Sequence, residues 1–491
     1  MVAGAIIASV SAIVAATFVL PLIAIVAFGS LGALIFDFNQ RRESYGAKRG
    51  LPPGSLAFLS PDPWTNPHYY DMAAGRHGNI FKFRHFTLPA VGIRGIERIA
   101  EFLRAHHEDL LVPPAPFNEI VPSGFVRYMD GSEHDRIATA LRSAMSPAVV
   151  ARYSAQMTDE SVSALQSLQS GAPITNVAEK LTSRLMLLLF FGIEPSGQER
   201  LQSLFEQADY RSLSQTGEVK ARLAVESIIS EMRVIARDRG RSSFLSQLAL
   251  HYPDAIESNA ILGNLAYALH TGRVDVSGLL VWLAAVSAAN PEWMQKLRDA
   301  LAGDPDDALR IGGLADRIVR ETLRLHQSEF LMRRTRNAIQ LEGYRIPAGW
   351  HVRLCIAESH RSPDAFDDPE IFNPDRFLTT TSRSTFAPFG FAPRACPGEH
   401  LARAIGRHFV AAAAQRYNLS VSGVEPCWVP TSRSSEYRVC IHSPLRELRE
   451  FGKRVPGMCS SVRRTRFHTA ECSTRCLHVM LPAQRSRCRH S

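Results

Sequence analysis

The first 36 residues, Met1 to Phe36, lack any charged side chain. The run exceeds the roughly 20 residues that cross a bilayer as a helix. It also overruns the apolar core of about 7–15 residues in a cleavable signal, and no basic residue precedes it. Arg41, Arg42, Lys48 and Arg49 follow, which by the positive-inside rule hold the next segment on the cytoplasmic face. A single-pass transmembrane anchor over 1–36, contacting membrane lipid and kinked at Pro21, is therefore expected. Other things are scarce as well. Cys355, Cys396, Cys427 and Cys440 show no CxxC spacing, which excludes a dithiol or zinc-ribbon motif and makes a reducing compartment the default. No basic stripe interleaved with aromatics occurs. The net charge is +9, but from Leu445 onward eleven Lys/Arg stand against three Asp/Glu, so that stretch carries +8 of it. No nucleic-acid partner is expected. Between residues 56 and 445 there is no repeat, no low-complexity tract and no second linker.

Helical patterns fill that span, such as "EKLTSRLMLLLFFG" at 179–192 and "DVSGLLVWLAAVSAANPEWMQKLRDAL" at 275–301. Strand signals are few and late. "AIQLEGYRIPAGWHVRLCIA" at 338–357 reads as a hairpin with turns at Glu342-Gly343 and Pro347-Ala348-Gly349. The expected organisation is an anchor (1–36), a basic and proline-rich linker (37–55), one mainly α catalytic domain with a small β region (56–445), and an atypical basic tail rich in Cys, Arg and Ser (446–491).

"FAPFGFAPRACPGEHLARAIGRHFV" at 386–410 places Cys396 in a turn constrained by Pro388, Gly390, Pro393, Pro397 and Gly398. Leu401, Ile405 and Phe409 recur at helical spacing just after it. Cys396 then lies at a helix N-terminus, where amides and the helix dipole favour thiolate. Gly398 leaves the backbone approachable by a flat group. From the loop alone, an inert buried cysteine and a ligand both remain open.

"FGFAPRACPG" resembles the haem-thiolate signature of the cytochrome P450 family, with Phe389, Arg394, Cys396 and Gly398 at its Phe, Arg, Cys and Gly, and Ala392 where glycine is usual. Other pieces follow the family's order. "ETLR" at 321–324 resembles the E-x-x-R of its K helix, and "FNPDRF" at 372–377 resembles the segment whose arginine, here Arg376, completes a triad with Glu321 and Arg324. The resemblance implies that this triad is structural. It implies Cys396 as the axial haem ligand and Arg394 on a propionate. It also implies propionate contacts from Arg334, ten residues before the tyrosine of "YRIPAG", and from His134 in "DGSEHDRIATALRSAMSP". Ala138 stands where the family usually has a further basic residue. Thiolate donation to iron favours O–O cleavage.

The match breaks in the helix over the haem. The family's "A-G-x-D/E-T" corresponds to "TGRVDV" at 271–276, so Val274 takes the acid position and Asp275 the alcohol position. Asp275 is read as carrying a proton or holding a water, with Thr271 one turn away. Two other readings stay open: Asp275 orients a polar substrate group, or it is spent in an ion pair with Arg273 or a neighbouring segment.

The resemblance, to microsomal and fungal specialised-metabolism members, implies the P450 helical prism on an N-terminal transmembrane helix. It further implies a monooxygenase in the endoplasmic reticulum membrane, its catalytic domain facing the cytosol. The enzyme would take electrons from NADPH through an NADPH-cytochrome reductase and oxidise a lipophilic terpenoid, steroid or polyketide of secondary metabolism. A reductase-independent haem-thiolate isomerase or dehydratase, a haem-binding sensor or inactive relative, and a haem-free scaffold are the alternatives.

Overall fold

A helix of 31 residues, Asn259–Ala289, runs through the computed structural model. The Ser258 hydroxyl accepts from the Ile261 amide at 3.3 Å and caps its start, and Asn290-Pro291 ends it. Its apolar residues go all the way round because other elements pack on most of its faces. The structure describes residues 50–447 and Leu31, except 58–65, 67, 86–87, 114–117, 169–173, 209–213, 239–241, 327–330, 380–384, 418, 422–426, 431–436 and 441–444. The expected anchor, most of the linker and nearly all of the tail lie outside the described residues.

Among the described residues, the helices of eight residues or more are numbered in chain order. They are α1 (Tyr69–His77), α2 (Ile96–Ala105), α3 (Gly131–Ala144), α4 (Ser154–Leu168), α5 (Ile174–Phe191), α6 (Glu199–Gln207), α7 (Gln215–Arg237), α8 (Phe244–His251), α9 (Asn259–Ala289), α10 (Pro291–Gly303), α11 (Leu314–His326) and α12 (Glu399–Arg416). Their apolar faces form one large core around α5, α9 and α12. Gly406 of α12 lets that helix close on its neighbours. A Cβ there would lie 3.0 Å from Val319 of α11 and 3.2 Å from Leu283 of α9.

A five-stranded sheet has the order β1-β2-β7-β4-β3, from β1 (Ile80–His85), β2 (Leu88–Arg94), β3 (Leu110–Leu111), β4 (Leu331–Thr335) and β7 (His351–Cys355). Only β2 and β7 run parallel. The fold is mainly α with small sheets, as expected, but strands also occur early. β1 and β2 escape the sequence pattern because β1 carries Lys82 and Arg84, which read as solvent-facing. Both are instead stitched to the proline-rich segment 51–56: Lys82 Nζ donates to Pro52 O at 2.8 Å and Arg84 Nε to Leu56 O at 2.6 Å. Burial lowers the Lys82 ammonium pKa to about 8. Gly54 is required there, since a Cβ would lie 2.2 Å from Lys82 O.

The expected hairpin is half present. β5 (Ile339–Leu341) pairs with β6 (Tyr344–Ile346) across Glu342 and Gly343, whose φ values of 46° and 82° are the two positive angles of a type I′ turn. β7 then leaves for the larger sheet, where Val352 and Leu354 are buried between β2 and β4.

Acid should loosen this core. Burial, helped by nearby Arg or His charges, lowers His85 and His408 to about 4 and His326 and His360 to about 3. His326 is stacked flat on Trp282 with centroids 3.6 Å apart. Each ring is neutral when folded but takes a proton when unfolded below its ordinary value of 6.5. Their stability contribution is therefore complete above about pH 6.5 and is lost as pH falls towards the folded values, by up to about 1.4 kcal/mol per pH unit for each ring. Urea midpoints should be level from pH 8 to 7 and drop steeply from pH 6 to 5; a level profile down to pH 5 would refute this.

Candidate functional site

Residues 386–398 cross from the sheet to the start of α12. Ala387 and Phe391 pack into the sheet's own core with Leu331, Val352 and Leu354. Gly390, at φ 76°, turns the chain, and its amide donates to Ala387 O at 3.1 Å. The Cys396 amide donates to Phe389 O at 2.9 Å, so Phe389 holds the loop through its backbone carbonyl. Behind Cys396, α12 begins with Glu399, and Leu401, Ile405 and Phe409 are buried, as their spacing implied. Cys396 is exposed and outside any disulfide. Cys355 shows the opposite environment, fully buried on β7 with burial pushing its thiol pKa well up. A Cβ on Gly398 would stand 3.8 Å from Cys396 Sγ, so the glycine keeps the flank of the sulfur clear.

In α9, residues 271–275 are not buried, Asp275 being exposed, although buried residues flank them on both sides. The Thr271 hydroxyl donates to the carbonyls of Tyr267 and Ala268 at 3.1 and 3.3 Å. A Cβ on Gly272 would meet only Met186 Cε, at 3.6 Å, so no protein neighbour demands glycine there. α9 crosses α12 at Leu283 and Gly406. From that crossing the helices lead back about 12 Å to Asp275 and about 11 Å to Glu399, at 1.5 Å per residue.

The polar residues expected around a haem divide. His134 is buried on α3 with Nδ1 2.9 Å from the Asp135 carboxylate. Arg394 ties the cysteine loop to the segment ahead of α3. Its guanidinium donates to Arg127 O at 3.0 Å, to Met129 O and to the Asp130 carboxylate, and so holds the turn ahead of α3. Arg142 of α3 donates back to Pro393 O at 3.2 Å.

Arg334 stands on β4. It pairs with His351 across β4 and β7, is exposed, and helps to lower the pKa of His351 on the side away from the cysteine loop. Strand alternation gives the loop's side to Leu331 and Arg333. Leu331 Cδ1 would lie 3.7 Å from a Cβ on Gly390, and Arg333 is buried. A count of eleven residues would give Arg333 instead of Arg334, and one residue in a strand is the other face. Arg333→Met should cost roughly 10–100-fold in haem retention, as loss of a supporting contact does, and Arg334→Met less than about threefold. Equal losses in a haem-transfer assay would refute the assignment.

The structure brings Glu321, Arg324 and Arg376 together. Arg324 clasps the fully buried Glu321 carboxylate through two bonds, 2.8 and 2.9 Å. Arg376 Nε and the Asn373 amide both reach Glu321 Oε1, at 3.0 and 2.9 Å. The arginines' other donors meet backbone carbonyls, Arg324 Nη1 on His360 O at 2.9 Å and Arg376 Nη1 on Asp367 O at 2.8 Å. An exposed thiol before a helix N-terminus, the unburied stretch of α9, and buried Arg333 and His134 form a donor set that fits a haem held by sulfur.

Comparison with known proteins agrees. The family model "Cytochrome P450" matches residues 288–441. Over 447 residues the chain is 25% identical to cytochrome P450 26A1 of Xenopus laevis, covering 80% of this chain and 89% of that protein. It is 26% identical over 416 residues to abscisic acid 8'-hydroxylase 1 of Oryza sativa subsp. japonica, covering 75% and 86%. Among solved structures, retinoic acid-bound cyanobacterial CYP120A1 is similar in fold, with a TM-score of 0.64 at 20% identity over 81% of this chain and 99% of that one.

Proposed function

The chain belongs to the cytochrome P450 family and is a haem-thiolate oxidoreductase, and from that premise we propose that it is a membrane-anchored monooxygenase for a lipophilic small molecule. The observation that carries this is the exposed Cys396 on a loop fixed at both ends, ahead of α12. Bound haem supplies the oxygen chemistry. The chain's own residues would hold and orient the group: Cys396 would give the sulfur ligand, Arg333 and His134 would serve the propionates, and the Glu321 cluster would keep the framework behind the loop rigid. Electrons come from NADPH through a reductase, as is typical of the family. The uncharged run at 1–36 supports an anchor in the endoplasmic reticulum membrane with the catalytic domain in the cytosol.

The relatives include enzymes named for hydroxylating abscisic acid and a structure holding retinoic acid. We carry over the lipophilic class, with a terpenoid, steroid or polyketide of secondary metabolism as the expected kind. Asp275 adds a restriction. A carboxylate at the alcohol position of α9 repels a substrate carboxylate, so the end of the molecule presented there is neutral.

We assign Asp275 to holding a water or passing a proton through its carboxylate oxygens, since the Thr271 hydroxyl proton is spent on α9 carbonyls. The same observation favours a second reading, a haem-thiolate isomerase or dehydratase that needs no reductase. Asp275→Asn decides between them. Under the first reading, reductase-supported turnover falls roughly 100-fold, the scale of a lost acid-base group, and Asp275→Thr restores part of it. Wild-type turnover on a hydroperoxide without NADPH, unchanged in Asp275→Asn, would sink the first reading and support the second.

A further inference from the structure

His360 closes the short helix Ile356–His360 after β7, fully buried, and no catalytic role calls for it. It holds two partners at once. Its carbonyl accepts from Arg324 Nη1 at 2.9 Å, joining the Glu321 cluster. Its ring Nε2 accepts the Ala387 amide at 3.0 Å, which fixes the start of the cysteine loop. The ring lies 5.1 Å from Phe386 and 6.4 Å from Phe366, and Phe366 in turn faces the Arg324 guanidinium at 5.2 Å. Because Nε2 accepts, the proton sits on Nδ1, and burial keeps the ring neutral. From Ala387 the loop is bonded in steps: Gly390 N to Ala387 O, then Cys396 N to Phe389 O. A shift at Ala387 is therefore passed to the turn that sets the height of Cys396.

We infer that His360 is a positioning residue for the thiolate: the geometry links the buried Glu321–Arg324–Arg376 cluster to Cys396 through the Ala387 amide. The inference rests on Cys396 being the haem ligand. It differs from a merely structural histidine in that its effect travels along one named hydrogen bond.

The test uses the full-length, haem-loaded chain with His360→Leu, which removes the acceptor, and His360→Gln, which offers an amide oxygen near the place of Nε2. Hydrogen exchange is read by mass spectrometry on peptides covering 385–390 and 371–377. In His360→Leu the Ala387 peptide should exchange roughly tenfold faster, the scale of one lost buried hydrogen bond. The 371–377 peptide, whose Asn373 amide rests on Glu321, should not change. The thiolate-type band of the reduced carbon monoxide complex should convert in part to the thiol type. His360→Gln should restore both readouts. Unchanged Ala387 exchange in His360→Leu overturns the inference. So does faster exchange with an unaltered thiolate band, or parallel acceleration of both peptides in both variants. A wild-type chain that takes up no haem overturns the ligand reading instead, and Ala387 exchange still decides the link.

Discussion

Cys396→Ser is expected to abolish the red-shifted, thiolate-type band of the reduced carbon monoxide complex and, with it, turnover. The sulfur is exposed, outside any disulfide, and set at the start of an 18-residue helix whose N-terminal amides stabilise negative charge. A serine hydroxyl in its place is a poor anion at neutral pH and donates far less electron density to iron. Changing a group that only supports a metal ligand costs about 10–100-fold, so losing the ligand itself should cost more than that. Folding should survive, because the thiol makes no part of the core. Difference spectra and turnover on one preparation check both statements. A thiolate-type band that persists in Cys396→Ser would remove the central assignment, and Cys355, with its thiol pKa raised by burial, could not replace it.

Glu321→Leu should instead destroy the fold. It leaves the fully buried Arg324 without its carboxylate and strips Arg376 and the Asn373 amide of a common acceptor. Breaking a buried pair by removing one partner costs about 3–5 kcal/mol, a large part of a typical stability of about 5–15 kcal/mol. Little soluble haem protein should form, and what forms should unfold at much lower urea. Arg376→Met gives the contrast. Glu321 keeps both bonds from Arg324, so the loss should be about 1–3 kcal/mol, that of hydrogen bonds to a charged group. Equal unfolding midpoints for Glu321→Leu and wild type would show that the cluster is dispensable.

How far the sequence could be read depended on whether the deciding distance lay along the chain or across it. Glu321 and Arg324 sit one turn apart in an amphipathic helix, so their pairing could be anticipated from spacing. Cys396 was legible because its prolines, glycines and following helix are all local. Spacing does not separate Arg333 from Arg334, because period-two alternation turns a shift of one residue into the opposite face. The bonds from Arg394 to the carbonyls of Arg127 and Met129 could not be anticipated, because those partners are more than 260 positions away and carry no side-chain signature. His360 went unremarked for the same reason, its partner being a bare amide 27 positions on. β1 read as polar because burying Lys82 and Arg84 requires carbonyls that only the folded segment 51–56 provides.

The proline-rich segment 52–56 couples the chain ahead of it to the sheet. Residues 52–56 are not a swivel: Lys82 and Arg84 hold their carbonyls, and Gly54 lies in bridge contact with the strand itself. Torque applied to the chain ahead of Leu51 is therefore delivered to β1, at the edge of the five-stranded sheet, and onward through β2 and β7 to β4, which carries Arg333. A pull on Leu51 would thus be borne by the sheet, which spreads the load over all five strands.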